Sequence, residues 1–423
     1  MILIPNDLLQ QLRILAGDPA ELDNLPAPIW EQQSVDFLQE FSRKLMPLAI
    51  EENLSDVVAL AFWLRKSNIE KLKRNYLATT NENKKSKPED WCGQMECGNL
   101  RVGLGLVFHI CPSNVPVNFG FSLAFALLAG NSSALRLPSK PSESCDLIVK
   151  VINALLLTDS FKAMQRRILL IRYERNDAIN GFFLGKADGR VVWGGDATVR
   201  HMRKFEVPTR SREIAFADRY SISVLGAQAI VNLDTVLIKK LVQDLFNDMI
   251  LMNQAACSSP QLICWFGNSL QIASAKERIW PMLASLMIDK RVLSPLGQMN
   301  KLVDACNYAM DISEISNVQI SQGVLTCIQL DKLLTNQDQI RAFNGTAIQV
   351  SLVNLKDLAP IIDERYQTIT YFGINEKDLA EMLLTYRLRG VDRIVPVGQA
   401  IGMGVLWDGY NLISSLSRVI EVK

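Results

Sequence analysis

The chain has 423 residues, 48% of them hydrophobic and 21% charged, which fits a soluble globular enzyme of two or three domains. Lys and Arg total 45 against 44 Asp and Glu, and a formal net charge of +1 gives no electrostatic case for nucleic acid or an anionic membrane. Eight scattered cysteines, only two histidines (His109 and His201) and no secretory leader point to free thiols in a reducing cytoplasm and to no bound metal.

Residues 1 to 85 are expected to form a helical part, because "VVALAFWLRKSNIEKLKRNYL" repeats apolar residues at intervals of three and four. The polar stretch "TTNENKKSKPED", 79 to 90, reads as a surface linker. Next, "RVGLGLVFHICPSNVP" is an apolar strand running into a turn at Asn114. The following run "FGFSLAFALLAG", 119 to 130, is too short to cross a bilayer and stops at Gly130-Asn131, so it predicts a buried helix. "SALRLPS" and "GRVVWGGDATVRHM" supply further strands, the second entering a helix after Gly194-Gly195. Alternation of buried strands with helices predicts an α/β protein with parallel sheets. A cofactor-binding part is expected over 86 to 225 and a catalytic part over 226 to 385. In the latter, a helix over 236 to 249 leads to Cys257 and the strand "QLICWF". The apolar segment 386 to 423 is expected to lie at an interface.

Each candidate has a plain reading beside the chemical one. Gly194 and Gly195 admit close approach of a phosphate, and they also suit an ordinary strand-to-helix turn. The spacing is not that of a Rossmann fingerprint. Arg136 and Lys140, at a strand end, suit a nucleotide phosphate or simple solvation. Asn114, between two prolines, offers a fixed N–H donor or a turn. His109 reads as a core histidine, and Cys264, on a strand, as an inert thiol. Cys257 differs, because it sits among small residues at a helix-to-strand junction where backbone N–H groups can stabilise a thiolate.

In order, "GLVFHICPSNVP", "AGNSSALR", "WGGD" and "NQAACSSPQ" resemble the aldehyde dehydrogenase superfamily, and within it the LuxC-type acyl-CoA reductases. "FADRYSISV", "RYQTI", "DRIVPVG" and "WDG" add to the resemblance, which spans roughly residues 85 to 420. It implies an aldehyde dehydrogenase-like fold, with a Rossmann-like cofactor domain, an α/β catalytic domain and an oligomerisation segment. Cys257 then matches the nucleophile that carries an acyl group as a thioester, and Asn114 the side-chain half of an oxyanion hole. Arg136 matches the residue that binds the adenosine ribose or its phosphate, with Lys140 near it. Gly194 and Gly195 match the turn against the cofactor, and Glu364 matches a glutamate on the nicotinamide ribose. Cys257 stands one residue closer to Asn253 than in the usual motif.

Hydrolytic members of the superfamily carry a glutamate that activates the deacylating water. The comparable stretch here is "SVLGA", with Val224 in that place. Loss of a general base suits an acyl-cysteine that must survive until hydride arrives. The resemblance therefore implies NADPH-dependent reduction of an acyl-CoA or acyl-protein thioester to an aldehyde. It further implies an acyl-protein synthetase as partner and assembly as a homo-oligomer. Two rivals stand beside it: an oxidising or hydrolytic aldehyde dehydrogenase in which Glu213 supplies the base, and a non-catalytic acyl-accepting subunit.

Overall fold

The structure, a computed structural model, describes residues 2–80, 95–96, 99–291 and 293–422. Cys92, Cys97 and most of the expected linker lie outside the described residues. The chain forms two compact units, Met1–Ala217 with Gly404–Lys423, and Asp218–Met403.

In the first unit the strands are β1 (Arg13–Ala16), β2 (Met95–Glu96), β3 (Asn99–Gly103), β4 (Leu106–Ile110), β5 (Ser132–Arg136), β6 (Ile168–Arg172), β7 (Gly189–Trp193) and β8 (Arg212–Phe216). Six of them make a sheet in the order β1-β6-β5-β4-β7-β8, parallel from β6 to β8. All five residues of β4 are buried, as expected for a central parallel strand covered on both faces. Residues before 80 are mostly helical (Gln32–Glu51, Ser55–Trp63 and Lys66–Thr80), but Arg13–Ala16 is an antiparallel edge strand on β6. Four residues are too few to show a helical or alternating period.

The expected single strand through "RVGLGLVFHI" breaks in two at Gly105, whose φ is +136°. Asn131, fully buried after the helix Asn118–Leu128, accepts the N–H groups of Leu104 (2.7 Å) and Gly105 (3.2 Å). Its amide nitrogen donates to the carbonyls of Ala126 and Leu416. One side chain thus closes the helix end and fixes the bend before β4.

The second unit contains β9 (Tyr220–Gly226), β10 (Pro260–Phe266), β11 (Ile315–Ser321), β12 (Leu325–Leu330), β13 (Thr346–Leu352), β14 (Tyr366–Phe372) and β15 (Arg393–Pro396). They form one sheet, β11-β12-β13-β10-β9-β14-β15, parallel except for the edge strand β11. Alternate residues feed two cores. Leu225, Ile263 and Trp265 pack with the helices Thr235–Met249 and Ser269–Asp289 on one face. Tyr220, Ile222, Val224, Leu262 and Cys264 pack on the other. The unit boundary falls before β9, ahead of residue 226, because β9 pairs with β10 and β14 and not with β8.

The chain then returns to the first unit through β16 (Leu406–Trp407), β17 (Tyr410–Asn411) and β18 (Ser417–Glu421). β18 lies antiparallel to β3 in the three-stranded sheet β18-β3-β2. The segment 386 to 423 is therefore divided, β15 belonging to the second sheet and residues from 404 on to the first unit. Among the described residues no helix is long and apolar enough to cross a membrane.

Candidate active site

The first unit brings its sequence-predicted residues to one edge. Asn114 follows β4, Arg136 ends β5, Lys140 lies just beyond it, and Gly194-Gly195 follow β7. Because β5, β4 and β7 are neighbours and parallel, all of these stand at the carboxyl edge of the sheet. Connections from β4 run outward through β5 and β6, then cross to β7 on the other side. That reversal puts the topological switch point between β4 and β7, the usual ligand position in an open α/β sheet. Asn114 and Lys140 are exposed, and Arg136 is half-buried.

Arg136 is the distinctive cation of this edge. Arg172 pairs with Asp146 at 3.4 Å, and Arg190 and Arg203 pair with Glu213 at 2.6 and 2.7 Å. Among the described residues no carboxylate pairs with Arg136, and its Nε is buried without an acceptor. The guanidinium lies 4.9 Å from the ring centroid of Tyr173. Gly195 precedes the helix Asp196–Met202, and a side chain added there would meet open space. Trp193, just ahead of the glycines, stacks on Phe216 at 3.8 Å between centroids and donates its indole N–H to Ser122. The same hydroxyl meets His109 Nδ1 at 2.8 Å. Burial lowers the His109 pKa to about 3, so this histidine is a neutral core residue.

In the second unit Cys257 occupies a turn that caps the amino edge of β10 and β13. It is partly exposed, between half-buried Ala256 and buried Ser258. Three residues that sequence reasoning left without roles hold this turn. Gln254, buried at a φ of +58°, donates to the Thr346 carbonyl at 2.9 Å and accepts N–H groups from Gly345 and Thr346, each at 3.2 Å. The Gln261 amide donates to the Gln254 carbonyl at 2.8 Å and accepts from Ala342 N–H at 2.7 Å. Asn253 also has a positive φ, +54°. Two successive left-handed residues tighten the chain ahead of Cys257. Ser221, fully buried on β9, donates to the Cys257 carbonyl at 2.7 Å and accepts from Thr368 N–H at 3.2 Å. The quoted motifs contain Gln254, Gln261 and Ser221, but apart from the Gln261–Gln254 bond their partners are remote in sequence, and no local pattern reveals those.

Four of the other described thiols are set apart by burial. Cys111, Cys145, Cys264 and Cys327 are buried, and burial pushes each thiol pKa up, that of Cys327 to about 12. Cys306 is exposed on the helix Pro295–Asp311, away from the Cys257 turn in sequence and on a different element.

Val224 requires a correction. It pairs in register with Cys264, is fully buried and belongs to the apolar core of the second sheet. It faces that core, so its identity carries no information about a base beside Cys257. The carboxylates at the amino edge are more informative. Asp218 pairs with Arg341 at 2.9 Å, Asp338 and Asp363 both pair with Arg365, and Glu364 pairs with Arg389 at 2.8 Å. Burial would raise the Asp363 carboxyl, but hydrogen bonds and charge from Arg365 outweigh it and hold its pKa below the usual range. Asp392, just before β15, behaves oppositely, because burial raises its pKa against the pull of Arg219. Glu364, the expected ribose ligand, is exposed at the start of β14 and also accepts Arg219 through its backbone carbonyl. Glu213, the alternative base, is held by two arginines in the first unit.

These features can be set beside known proteins. A long-chain acyl-protein thioester reductase 2 of Photobacterium leiognathi is 24% identical over 214 residues, covering 50% of this chain and 41% of that relative. The chain thus matches less than half the length of that curated relative. An oxidoreductase from Marinobacter aquaeolei aligns over 96% of this chain and 88% of its own, with a TM-score of 0.61 at 12% identity. An indole-3-acetaldehyde dehydrogenase solved with NAD+ aligns over 92% of this chain and 82% of its own, with a TM-score of 0.57 at 13% identity. The fold is that of the aldehyde dehydrogenases, as the resemblance implies. A family model described as acyl-CoA reductase (LuxC) matches residues 33–419, most of the chain. The protein belongs to the LuxC family of acyl-CoA reductases.

Proposed function

We propose that the protein reduces an acyl thioester, on CoA or on a carrier protein, to the aldehyde with NADPH, through an acyl group held on Cys257. The observation that carries this reading is the Cys257 turn, which presents one partly exposed thiol on a frame of buried amides. The Cys257 thiolate attacks the thioester carbonyl, the bond to the donor sulfur breaks, and the donor thiolate leaves and takes up a proton. Two thioesters of similar energy bracket this transfer, so positioning and oxyanion stabilisation are the main demands. Asn114 is the side-chain donor proposed for the oxyanion. NADPH, held by Arg136, Lys140 and the Gly194-Gly195 turn, would supply hydride at the acyl carbon. The thiohemiacetal on Cys257 then collapses, its carbon–sulfur bond breaks, and the aldehyde departs.

The carboxyl edge of the first unit fits a phosphorylated nucleotide. Among the described residues Arg136 has no carboxylate partner, Lys140 adds a second cation, and Gly195 leaves open space at the turn. Between Arg136 and Lys140 stand Leu137, Pro138 and Ser139, so this stretch itself carries no acid. Glu364 is proposed for the nicotinamide ribose, which it would hold while also paired to Arg389. An acyl-protein synthetase as donor, and a homo-oligomer with residues 386–423 at its interface, complete the proposal. Sedimentation with and without such a synthetase tests both.

Incubation with an acyl-CoA should add one acyl group to the intact protein, and NADPH should then release aldehyde. Cys257→Ala should abolish both. Labelling that persists in that variant overturns the reading. A hydrolytic reading would need a general base beside Cys257. Free CoA released without reductant as fast as aldehyde forms would favour it.

A further inference from the structure

We infer that Tyr173 positions Arg136 to grip a 2′-phosphate and so sets the choice between NADPH and NADH. The inference rests on the cofactor reading above and adds a residue to it. β5 and β6 are parallel neighbours with Arg136 opposite Ile171, so Tyr173, two residues on, reaches the same carboxyl edge. The ring is nearly buried, 4% exposed, and is fixed from several directions. Its hydroxyl donates to Asn180 Oδ1 at 2.7 Å, and its carbonyl accepts from Ser139 Oγ at 3.4 Å. Asn180 is itself buried on the helix Asp177–Lys186. The Asn176 side chain caps that helix by accepting from Ala178 and Ile179 N–H at 3.0 and 3.2 Å. Burial pushes the phenol pKa up, so the hydroxyl stays a neutral donor.

A half-buried guanidinium without a counter-ion is costly unless something compensates it. Neighbouring arginines use carboxylates, Arg172 with Asp146 and Arg190 with Glu213. Arg136 has the face of Tyr173 instead, 4.9 Å away. The difference matters chemically. A carboxylate occupies the N–H edge of a guanidinium, whereas an aromatic ring covers its face and leaves the edge for another anion. The ring therefore restrains the cation without neutralising it. With Nε buried, a phosphate dianion suits the terminal N–H groups, and two ribose hydroxyls gain much less from them.

Titration calorimetry of the full chain with adenosine 2′,5′-bisphosphate and with 5′-AMP tests this. The wild type should bind the bisphosphate at least about tenfold more tightly, and Arg136→Ala should remove that preference. Tyr173→Leu should weaken the bisphosphate about fivefold and leave 5′-AMP within about twofold. Tyr173→Phe keeps the ring and should keep the preference, while losing thermal stability through the unpaired Asn180. If Tyr173→Leu does not fold, Tyr173→Met retains volume without the ring and should lose the preference likewise. A folded Leu or Met variant with an unchanged ratio, or with equal losses for both nucleotides, overturns the positioning role and leaves the cofactor reading standing. A wild type that binds the two nucleotides alike overturns the NADPH reading, and this inference with it.

Discussion

Ser221 shows how much the candidate nucleophile depends on one hydroxyl from another strand. It bonds the Cys257 carbonyl and the Thr368 N–H from a fully buried position. Ser221→Ala should reduce stability by about 1–3 kcal/mol, the range for a buried bond left half-made. It should also slow acyl loading of Cys257 about tenfold, because a loosened turn loses its orientation. Stopped-flow acylation beside urea melts separates the two effects, and unchanged acylation in a destabilised variant would confine Ser221 to folding. Val224→Glu makes the opposite point. A carboxylate placed in an apolar core is strongly unfavourable and shifts its pKa upward. Since the folded-state pKa would exceed the unfolded one, stability is retained at low pH and lost as pH rises through the shifted value. The variant should melt lower at pH 8 than at pH 5 and release no extra CoA from acyl-enzyme. Faster CoA release would restore Val224 to the reaction centre.

Asp248 sets the same kind of question at the level of elements, since it joins the helix Thr235–Met249 to the loop after β15. It is 1% exposed and accepts N–H groups from Gly398 at 2.6 Å and Ala400 at 2.9 Å. Burial raises its pKa to about 7, more than those two bonds and Arg393 lower it. The folded chain therefore holds this proton across a window in which the unfolded chain has lost it. Its contribution to stability should fall as pH rises from about 4 to about 7 and level off above. Wild type minus Asp248→Asn, in urea melts across that window, should show this decline, and a flat difference would mean the carboxylate is already ionised. Such links explain what the sequence could and could not reveal. The alternation of strands with helices, the helix before Cys257 and the boundary position of that cysteine follow from apolar periodicity and local turn chemistry. The break at Gly105, the strand Arg13–Ala16 and the inward face of Val224 follow from pairings with Asn131, β6 and Cys264, which no local window contains. A motif likeness aligned "SVLGA" by its letters, and strand register then decided which way its valine points.

At the scale of the whole molecule, the second unit is one continuous stretch with two cores of its own, whereas the first is assembled from two stretches. The isolated segment 218–403 should therefore unfold in a single cooperative urea transition, read by tryptophan fluorescence from Trp265 and Trp280. Both indoles are buried in one core and pack edge-to-face at 5.7 Å. A gradual, non-cooperative melt would mean that this segment needs the rest of the chain to fold. The first unit has no such independence in time. Arg101 Nη1 donates to Ser417 Oγ at 3.2 Å across 316 residues, beside the pairing of β3 with β18. At about 5–20 residues per second of synthesis, β3 leaves the ribosome tens of seconds before its partner strand exists. The inserted unit can complete itself during that wait, while the strand edge of β3 stays open to chaperones or to another nascent chain.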